Sequence, residues 1–298
     1  CGGSAGSYGY EKQDAESYGK WGFDYLKYDW CSYGNVINGL LNNDPYKISS
    51  LSYNGGAELS TAIKPFKLMG EYLRQQPRDI YYSLCQYGMS DVWKWGDSVG
   101  GNSWRTTNDI IDTWASVKGI ALDQDKSAAY AKPGNWNDPD MLVVGHVGWG
   151  NPHPSKLKPD EQYLHISLWS LFSAPLLIGC DMEKLDDFTL NLLTNDEVIE
   201  VNQDPLGKQA TCLQTIGNLR IYVKEMEDGC YAVGFCNFGT EIADLSYKEF
   251  GKLGINGKFR ARDLWRQKDI SNIDSTTGQL AIKVPAHGVV LYKFSPVK

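Results

Sequence analysis

The sequence predicts a two-part fold, in which an α/β region built on a parallel sheet or barrel precedes an antiparallel β region. Strand-like and helix-like segments alternate as far as residue 205, which is typical of a parallel α/β architecture. After Pro205 the segments are β-rich, separated by turns and almost without helical patterning. We therefore predict an α/β domain over residues 1–205 and an antiparallel β domain over residues 206–298.

The first predicted elements are a helix over residues 11–21, which Gly19 and Gly22 end, and a strand over residues 23–29 that is rich in aromatic residues. Apolar residues at helical spacing predict a helix over residues 58–75, in which Pro65 should cause a kink or mark a boundary. A strand over residues 79–86 lacks strict alternation, as expected when both of its faces are buried.

The next predicted elements follow the same alternation. They are a strand at residues 102–106, a helix at 109–119, a strand end and loop at 135–142, a helix at 160–172, a strand at 174–181 and a helix at 190–195. The helix at 160–172 has Pro159 at its entry and acids in its first turn, which favours a helix start there. The predicted β segments of the second domain are 219–225, 231–238, 259–265, 280–284 and 289–294.

The strand at residues 23–29 carries the most informative polar side chains. Side chains alternate along a strand, so Tyr25, Lys27 and Asp29 share one face. We expect this strand to be buried, where a Lys and an Asp must either pair or do chemistry. A buried ion pair that only fixes packing is one reading. In the other, Asp29 is a catalytic residue at the carboxyl end of a parallel strand, and Lys27 keeps it ionised.

Composition excludes several classes of protein. The 298 residues are 42% apolar and 22% charged, which is ordinary for a globular protein. A net charge of −7 argues against a nucleic-acid or anionic-membrane partner. No run of eighteen apolar residues is present. The seven cysteines form no CxxC pair and the four histidines are scattered, so we predict no metal site.

Three further acids stand out beside Asp29. Asp109 follows Arg105 closely and is predicted to begin a helix, where an Asp could serve merely as an N-cap. Asp138 and Asp140 could be turn acids. A retaining glycoside hydrolase needs two carboxylates about 5 Å apart, one as nucleophile and one as acid/base. The pattern alone leaves these alternatives open.

Four sequence motifs resemble those of a known enzyme family. They are Tyr28-Asp29-Trp30-Cys31, Ser103-Trp104-Arg105, Trp136-Asn137-Asp138-Pro139-Asp140-Met141-Leu142 and Asn202-Gln203-Asp204-Pro205-Leu206-Gly207-Lys208-Gln209. In these motifs the chain resembles glycoside hydrolase family 27, the α-galactosidase and melibiase family, over nearly its whole length. The resemblance implies a (β/α)8 TIM barrel followed by a C-terminal antiparallel β-sandwich, and a retaining α-galactosidase that needs no cofactor and acts on a carbohydrate substrate.

The resemblance also implies residue roles. The nucleophile falls on Asp29 and the acid/base on Asp109. Lys27, Arg105 and Asp140 fall on positions that bind or line the sugar site. Two further substrate-binding positions, Gln86 and Met89, lie in the loop that sets the acyl-amino preference, and their bulk favours galactose over N-acetylgalactosamine.

The same resemblance implies a disulfide between Cys1 and Cys31, and it makes secretion or periplasmic export plausible. The family's barrel begins with three strand–helix units that precede Cys1, so the chain is expected to supply about strands 4–8. We therefore expect this chain alone to be unstable or inactive and the functional protein to be longer. The alternatives are a β-L-arabinopyranosidase, an α-N-acetylgalactosaminidase or a non-catalytic carbohydrate-binding protein on the same fold. The oligomeric state is left open.

Overall fold

The computed structural model describes residues 6–31, 33, 57–148 and 150–297. The chain divides into two compact units, of which the first comprises residues 1–109 with 134–138 and the second comprises residues 110–133 with 139–298. This division follows packing between residues, whereas the predicted domain boundary between residues 205 and 206 follows the change from alternating helices and strands to β-rich segments. That boundary stays a prediction.

The first unit is built on a parallel sheet of four described strands in the order β1-β2-β3-β4. These strands are β1 (Tyr25–Asp29), β2 (Tyr81–Cys85), β3 (Ser103–Arg105) and β4 (Trp136–Asp138). Helix α1 (Glu11–Trp21) covers the predicted range of residues 11–21, and Gly22 ends it in a left-handed conformation with φ of 83°. The unit therefore begins with the helix–strand order that the sequence predicts.

The predicted burial of β1 is wrong. Tyr25 is 42% exposed and Lys27 is also exposed, while Asp29 is half-buried. In the described sheet β1 has one neighbour, β2, so it lies at the edge and only part of its surface is covered. The aromatic residues of this strand predict burial, but the Tyr25 ring instead stacks on the ring of Tyr81, with the ring centroids 5.1 Å apart.

Helix α2 (Ala57–Leu73) packs against this sheet. Pro65 lies in the interior of the helix, so it does not mark a helix boundary. The buried face of the helix contributes Phe66 and Met69 to an aromatic core that also holds Trp104 of β3. The phenol of Tyr82 in β2 donates a hydrogen bond of 3.0 Å to the carbonyl of Phe66. This contact connects helix and sheet inside the core.

In its described part the second unit contains four α-helices and a short hairpin. They are α3 (Trp114–Leu122), α4 (Pro159–Leu171), α5 (Asp187–Leu193), α6 (Asp196–Asn202), and the hairpin of β5 (His146–Val147) and β6 (His153–Pro154). None of the helices in the described residues is long and apolar enough to cross a membrane. Two predictions fail here. Helix α3 begins at Trp114, and the predicted strand at 174–181 is reduced, within the described residues, to a single parallel bridge between Leu142 and Ile178.

The rest of the second unit is antiparallel β structure. Its strands are β7 (Thr211–Ile216), β8 (Leu219–Glu225), β9 (Tyr231–Asn237), β10 (Ala243–Tyr247), β11 (Lys258–Asp263), β12 (Lys268–Asp274), β13 (Leu280–Val284) and β14 (Val289–Pro296). A six-stranded sheet has the order β12-β11-β14-β9-β8-β7, and β10 pairs with β13. Side chains from both sheets, among them Phe235, Ile282 and Phe294, form one buried core. The predictions of β8 and β13 match the observed bounds.

His165 is a buried titratable group in the core around helix α4. It is fully buried, its ring lies edge-on to Trp169 at 4.1 Å between centroids, and its Nε2 accepts the backbone N–H of Val143 at 3.1 Å. Nε2 must therefore lack a proton, and the imidazole is neutral. Burial lowers the pKa of His165 to about 3.

Acid should destabilise the second unit through His165. The unfolded chain binds a proton at His165 below about pH 6.5, whereas the folded chain binds it only near pH 3. The stability that depends on a neutral His165 is fully present above about pH 6.5 and is lost as the pH falls. We therefore expect the free energy of unfolding to be about 2 kcal/mol lower at pH 5 than at pH 7.5. Denaturant titrations of the chain and of His165→Gln, which keeps an acceptor for Val143, measure this loss. An equal pH dependence in both would contradict it, and His153→Gln is the control.

Candidate active site

The carboxyl ends of the four parallel strands bring the predicted site residues of the first unit to one face of the sheet. In the observed register Lys27 lies opposite Ser83, Ser83 opposite Ser103 and Ser103 opposite Trp136. Because side chains alternate along a strand, the residues two places further along, Asp29, Cys85, Arg105 and Asp138, form the next row on the same face. This row lies at the end of the sheet where parallel-barrel enzymes hold their catalytic groups.

Asp29 is held by a tyrosine from the turn after β2. The phenol of Tyr87 donates a hydrogen bond of 2.7 Å to Oδ1 of Asp29. Burial, together with this hydrogen bond, raises the pKa of Tyr87 above its ordinary value, so the phenol keeps its proton and acts as the donor. The negative charge of Asp109 acts on Tyr87 in the same direction. The two predicted catalytic acids therefore both act on one phenol.

Arg105 connects the other members of the site. Its side chain is 1% exposed, and its Nη2 contacts Oδ1 of Asp109 at 3.1 Å and the carbonyl of Thr107 at 3.2 Å. Its guanidinium carbon lies 5.8 Å from the centre of the Tyr87 ring, within cation–π range. Its Nη1 lies 3.9 Å from the sulfur of Cys85. One buried cation thus contacts Asp109 directly and also supports the tyrosine that holds Asp29.

Asp109 is not a helix cap. Helix α3 begins at Trp114, and its N-cap is Thr113, whose side chain accepts the backbone N–H of Ser116 at 3.3 Å. The expectation that Asp109 begins a helix is therefore wrong, because the cap lies four residues later. The side chain of Asp109 is 70% exposed, so its carboxyl group is accessible while Arg105 holds one of its oxygens.

Lys27 is exposed and, within the described residues, makes no ion pair with Asp29, so the alternative of a buried ion pair that fixes packing is wrong. Lys27 nevertheless acts on the same row. Burial raises the pKa of the Cys85 thiol to about 11, the positive charges of Lys27 and Arg105 oppose this rise, and the negative charges of Asp29 and Asp138 add to it. Four charged groups therefore act on the pKa of this thiol, which stays protonated and unreactive at neutral pH.

The loop after β2 contains both residues predicted to set the acyl-amino preference. Gln86 is 1% exposed, and its amide Nε2 donates to the carbonyl of Met89 within the same loop. Its Oε1 is buried and has no hydrogen-bond partner among the described residues. Met89 is half-buried. The Gln86 side chain therefore braces the loop through its own backbone.

Asp140 belongs to the second unit and is supported there by backbone groups. It is buried and has a φ of 83°, a left-handed conformation that is uncommon for a residue other than glycine. Its Oδ2 accepts the N–H of Ile110 at 2.8 Å and its Oδ1 accepts the N–H of Met141 at 2.8 Å. Its carbonyl accepts the indole N–H of Trp169 at 2.7 Å. The Asp140 carboxylate thus fixes the backbone of the residue that follows Asp109, and its part in a sugar pocket stays a prediction.

Cys31 follows the strand that carries Asp29 and takes part in a disulfide. Its predicted partner, Cys1, lies outside the described residues, so the pairing stays a prediction. Among the described residues, no group of three or more His, Cys, Asp or Glu side chains is placed to hold a metal ion.

An open cavity lies beside Asp29 in the first unit. Its lining includes Glu11 and the aromatic side chains of Tyr8, Trp30 and Tyr33. Trp30 and Tyr33 meet edge to face, with ring centroids 5.2 Å apart. Tyr28, Pro65 and Phe66 also line the cavity. Tyr28 alternates with Asp29 along β1 and packs on Phe66 of helix α2, so the cavity lies on the helix side of β1 and not on the face that carries the Lys27 and Asp29 side chains.

Sequence reasoning missed two residues of this site, Tyr87 and Cys85. Cys85 could have been found from alternation, because it lies two residues after Ser83 in β2 and so shares its face. Tyr87 offers no such signal. Its φ of 62° and that of Gly88, 78°, make a turn whose direction the local sequence does not specify.

Two protein-family models match the chain. The model described as Alpha galactosidase A matches residues 1–204. The model described as Alpha galactosidase C-terminal beta sandwich domain matches residues 216–294.

Single proteins resemble the chain over nearly its whole length. The Arabidopsis thaliana protein named Alpha-galactosidase 2 is 37% identical over 289 residues, which are 96% of this chain and 64% of that protein. The structure of α-galactosidase I from Mortierella vinacea matches with a TM-score of 0.83 at 28% identity, over 99% of this chain and 73% of that one. A β-L-arabinopyranosidase from Geobacillus stearothermophilus matches with a TM-score of 0.79 at 25% identity, over 97% of this chain and 61% of that one. The chain thus spans less than two thirds of the Arabidopsis relative.

Proposed function

The chain belongs to the α-galactosidase A family, the α-galactosidases and melibiases of glycoside hydrolase family 27, and from that premise we propose that it carries the catalytic acids of a retaining α-galactosidase. Its substrates would be oligosaccharides, or polysaccharides with side chains that end in α-linked galactose. The observation that carries this proposal is the linked set of Asp29, Tyr87, Arg105 and Asp109. The buried guanidinium of Arg105 contacts the accessible carboxyl group of Asp109 and also lies over the Tyr87 ring, whose phenol orients the Asp29 carboxylate.

The proposed mechanism has two steps. First, Asp29 attacks the anomeric carbon, the bond from that carbon to the glycosidic oxygen breaks, and Asp109 gives its proton to that oxygen. Next, Asp109 removes a proton from water, the water oxygen bonds to the anomeric carbon, and Asp29 leaves as a carboxylate. Two inversions give net retention.

The other groups would position the sugar or its reactive partners. Arg105 holds Oδ1 of Asp109 and leaves the rest of this exposed carboxyl group to face the glycosidic oxygen. Lys27 lies on the same face as Asp29 and could bind a sugar hydroxyl. Asp140 supports the backbone next to Asp109. Within this proposal, Gln86 and Met89 restrict the space for a substituent on the sugar, which disfavours an N-acetyl group.

A second candidate activity is β-L-arabinopyranosidase, and the similarity to the Geobacillus stearothermophilus protein favours it. The two sugars differ in the substituent at C5. A non-catalytic carbohydrate-binding role is the weaker alternative, because binding alone would not require Asp29 and Asp109 together. We also propose that the protein is exported, since Cys31 forms a disulfide and disulfides persist in oxidising compartments.

Hydrolysis of three aryl glycosides by the chain and by its complete reading frame tests the proposal. We expect kcat/KM for the α-D-galactopyranoside to exceed that for the β-L-arabinopyranoside and the α-N-acetylgalactosaminide by at least about 10-fold, because one substituent in a fitted pocket changes kcat/KM by about that factor. The galactose released should first appear as the α anomer. A preference for the arabinopyranoside would replace the proposal by its alternative, and sugar binding without any hydrolysis would support the binding role.

A further inference from the structure

Tyr87 makes the only hydrogen bond that the described residues give to the Asp29 carboxylate. The phenol contacts Oδ1 at 2.7 Å, and Oδ2 accepts no hydrogen bond from the described part of the chain. A carboxylate with one oxygen fixed cannot rotate freely about its χ2 angle, so the position of the second oxygen is also fixed. In a displacement reaction, that second oxygen is the one available to attack carbon.

The tyrosine is itself held firmly. Tyr87 and Gly88 both have left-handed backbone conformations, with φ of 62° and 78°. A Cβ atom at Gly88 would overlap the carbonyl of Thr106, so the turn lies directly against the end of β3. The Arg105 guanidinium, which is almost fully buried, lies over the Tyr87 ring. Backbone and ring are therefore both restrained before any substrate binds.

We propose that Tyr87 is a positioning residue for the nucleophile, whose phenol fixes Oδ1 of Asp29 for attack through Oδ2 and then stabilises the carboxylate as it leaves. This inference rests on the proposed function, because it assigns a role within that reaction. Through Arg105, the same restraint extends to the oxygen of Asp109 that the guanidinium holds.

The two chemical steps should depend on the phenol differently. Negative charge leaves Asp29 in the first step and returns to it in the second. A hydrogen-bond donor at Oδ1 therefore stabilises the transition state of the second step more than that of the first. Loss of the donor should slow hydrolysis of the galactosyl-enzyme most, and the intermediate should accumulate.

Tyr87→Phe tests this role, with Tyr81→Phe as the matched control. Tyr81 also presents a phenol from the β2 region, but its hydroxyl donates to the carbonyl of Asn102 at 3.3 Å and does not contact Asp29. With an aryl galactoside that has a good leaving group, we expect Tyr87→Phe to lower kcat by about 10- to 100-fold, the value of a hydrogen bond to a charged group. KM should fall with it, and mass spectrometry should detect galactosyl-enzyme. Unchanged kcat, or a lower kcat with neither a lower KM nor accumulated intermediate, would overturn the proposal.

A measurement without turnover separates this inference from the proposed function. Tyrosine ring carbons labelled with ¹³C report the protonation of each phenol by NMR, and the Tyr87 signal is identified by its absence from Tyr87→Phe. In Asp29→Asn the pKa of Tyr87 should fall, since the charge that the phenol faces is gone. Asp91→Asn, which removes an exposed acid paired with Lys94 at 2.7 Å, should leave the pKa of Tyr87 unchanged. If the complete reading frame hydrolyses no glycoside, the proposed function fails, whereas an unchanged Tyr87 titration in Asp29→Asn overturns the positioning role.

Discussion

Asn in place of Asp29 is expected to lower kcat for an aryl α-D-galactopyranoside by about 10⁴-fold or more, which is the scale of losing an enzymatic nucleophile. An amide oxygen is a poor nucleophile, so the galactosyl-enzyme should not form. The substitution keeps the shape of the side chain, and the Asn oxygen can still accept the hydrogen bond from Tyr87. The loss should therefore reflect chemistry, with little change in folding.

Steady-state kinetics on purified Asp29→Asn and Asp91→Asn measure this effect. Asp91 is an exposed acid of the same unit, and its loss should leave kcat within about 2-fold of the parent value because surface substitutions are usually mild. Asp29→Gly supplies a second readout, because added azide can enter the space and attack the anomeric carbon directly. A β-galactosyl azide product would identify Asp29 as the nucleophile. Activity above one hundredth of the parent value in pure Asp29→Asn would exclude this role.

Asn in place of Asp109 should produce a loss that depends on the leaving group. For a substrate with a poor leaving group, such as an alkyl α-galactoside, we expect kcat/KM to fall by about 10²- to 10⁴-fold, because general acid catalysis contributes about that much. For a dinitrophenyl galactoside, whose leaving group departs without a proton, kcat/KM should change little. The Asn oxygen can still accept the hydrogen bond from Arg105, so the buried guanidinium keeps its partner.

A plot of log kcat/KM against the pKa of the leaving-group phenol displays this dependence. The slope should be steeply negative for Asp109→Asn and shallow for the parent and for Asp91→Asn. An equal loss with every leaving group would show that Asp109 acts on binding or folding, and the acid/base role would then have to pass to another carboxyl group. Hydrolysis of the galactosyl-enzyme should also be slow in Asp109→Asn, because the same group is the proposed base of the second step.

Much of the fold could be predicted because its signals are local. The fold class, a (β/α)8 TIM barrel followed by a C-terminal antiparallel β-sandwich, is confirmed by family membership and by the similarity to the Mortierella vinacea structure. Helix α1 and strands β8 and β13 lie where glycines, alternation and turn residues predict them. The assignment of the chain to strands 4–8 of the barrel stays a prediction.

The failures concern properties that depend on distant contacts. Burial of β1 depends on how many neighbouring strands flank it, which residues 23–29 do not encode. The start of α3 depends on which of two polar residues, Asp109 or Thr113, meets a free backbone N–H. Strand β12 was missed because most of its side chains are exposed, so it lacks an apolar pattern.

The sequence predicts which types of residue form the site, but it does not predict the contacts between them. The motifs select Asp29, Arg105 and Asp109, and the register of the sheet then places Asp29 and Arg105 in one row. The contact that orients Asp29 comes from Tyr87, whose position depends on a left-handed turn and on the approach of that turn to β3. Such a contact arises from tertiary packing, and no local pattern in the sequence specifies it.

The close approach of Gly88 to Thr106 also limits how this site can be redesigned. Any side chain at position 88 would displace the turn from β3 and, with it, the phenol that Asp29 requires. A combinatorial library intended to change the proposed sugar preference should therefore randomise position 89 and leave 87 and 88 untouched. Position 86 should be varied separately, because the Gln86 side chain braces the loop. The two positions proposed to set the sugar preference thus flank two positions that must stay fixed, so codons must be chosen singly and not as a block.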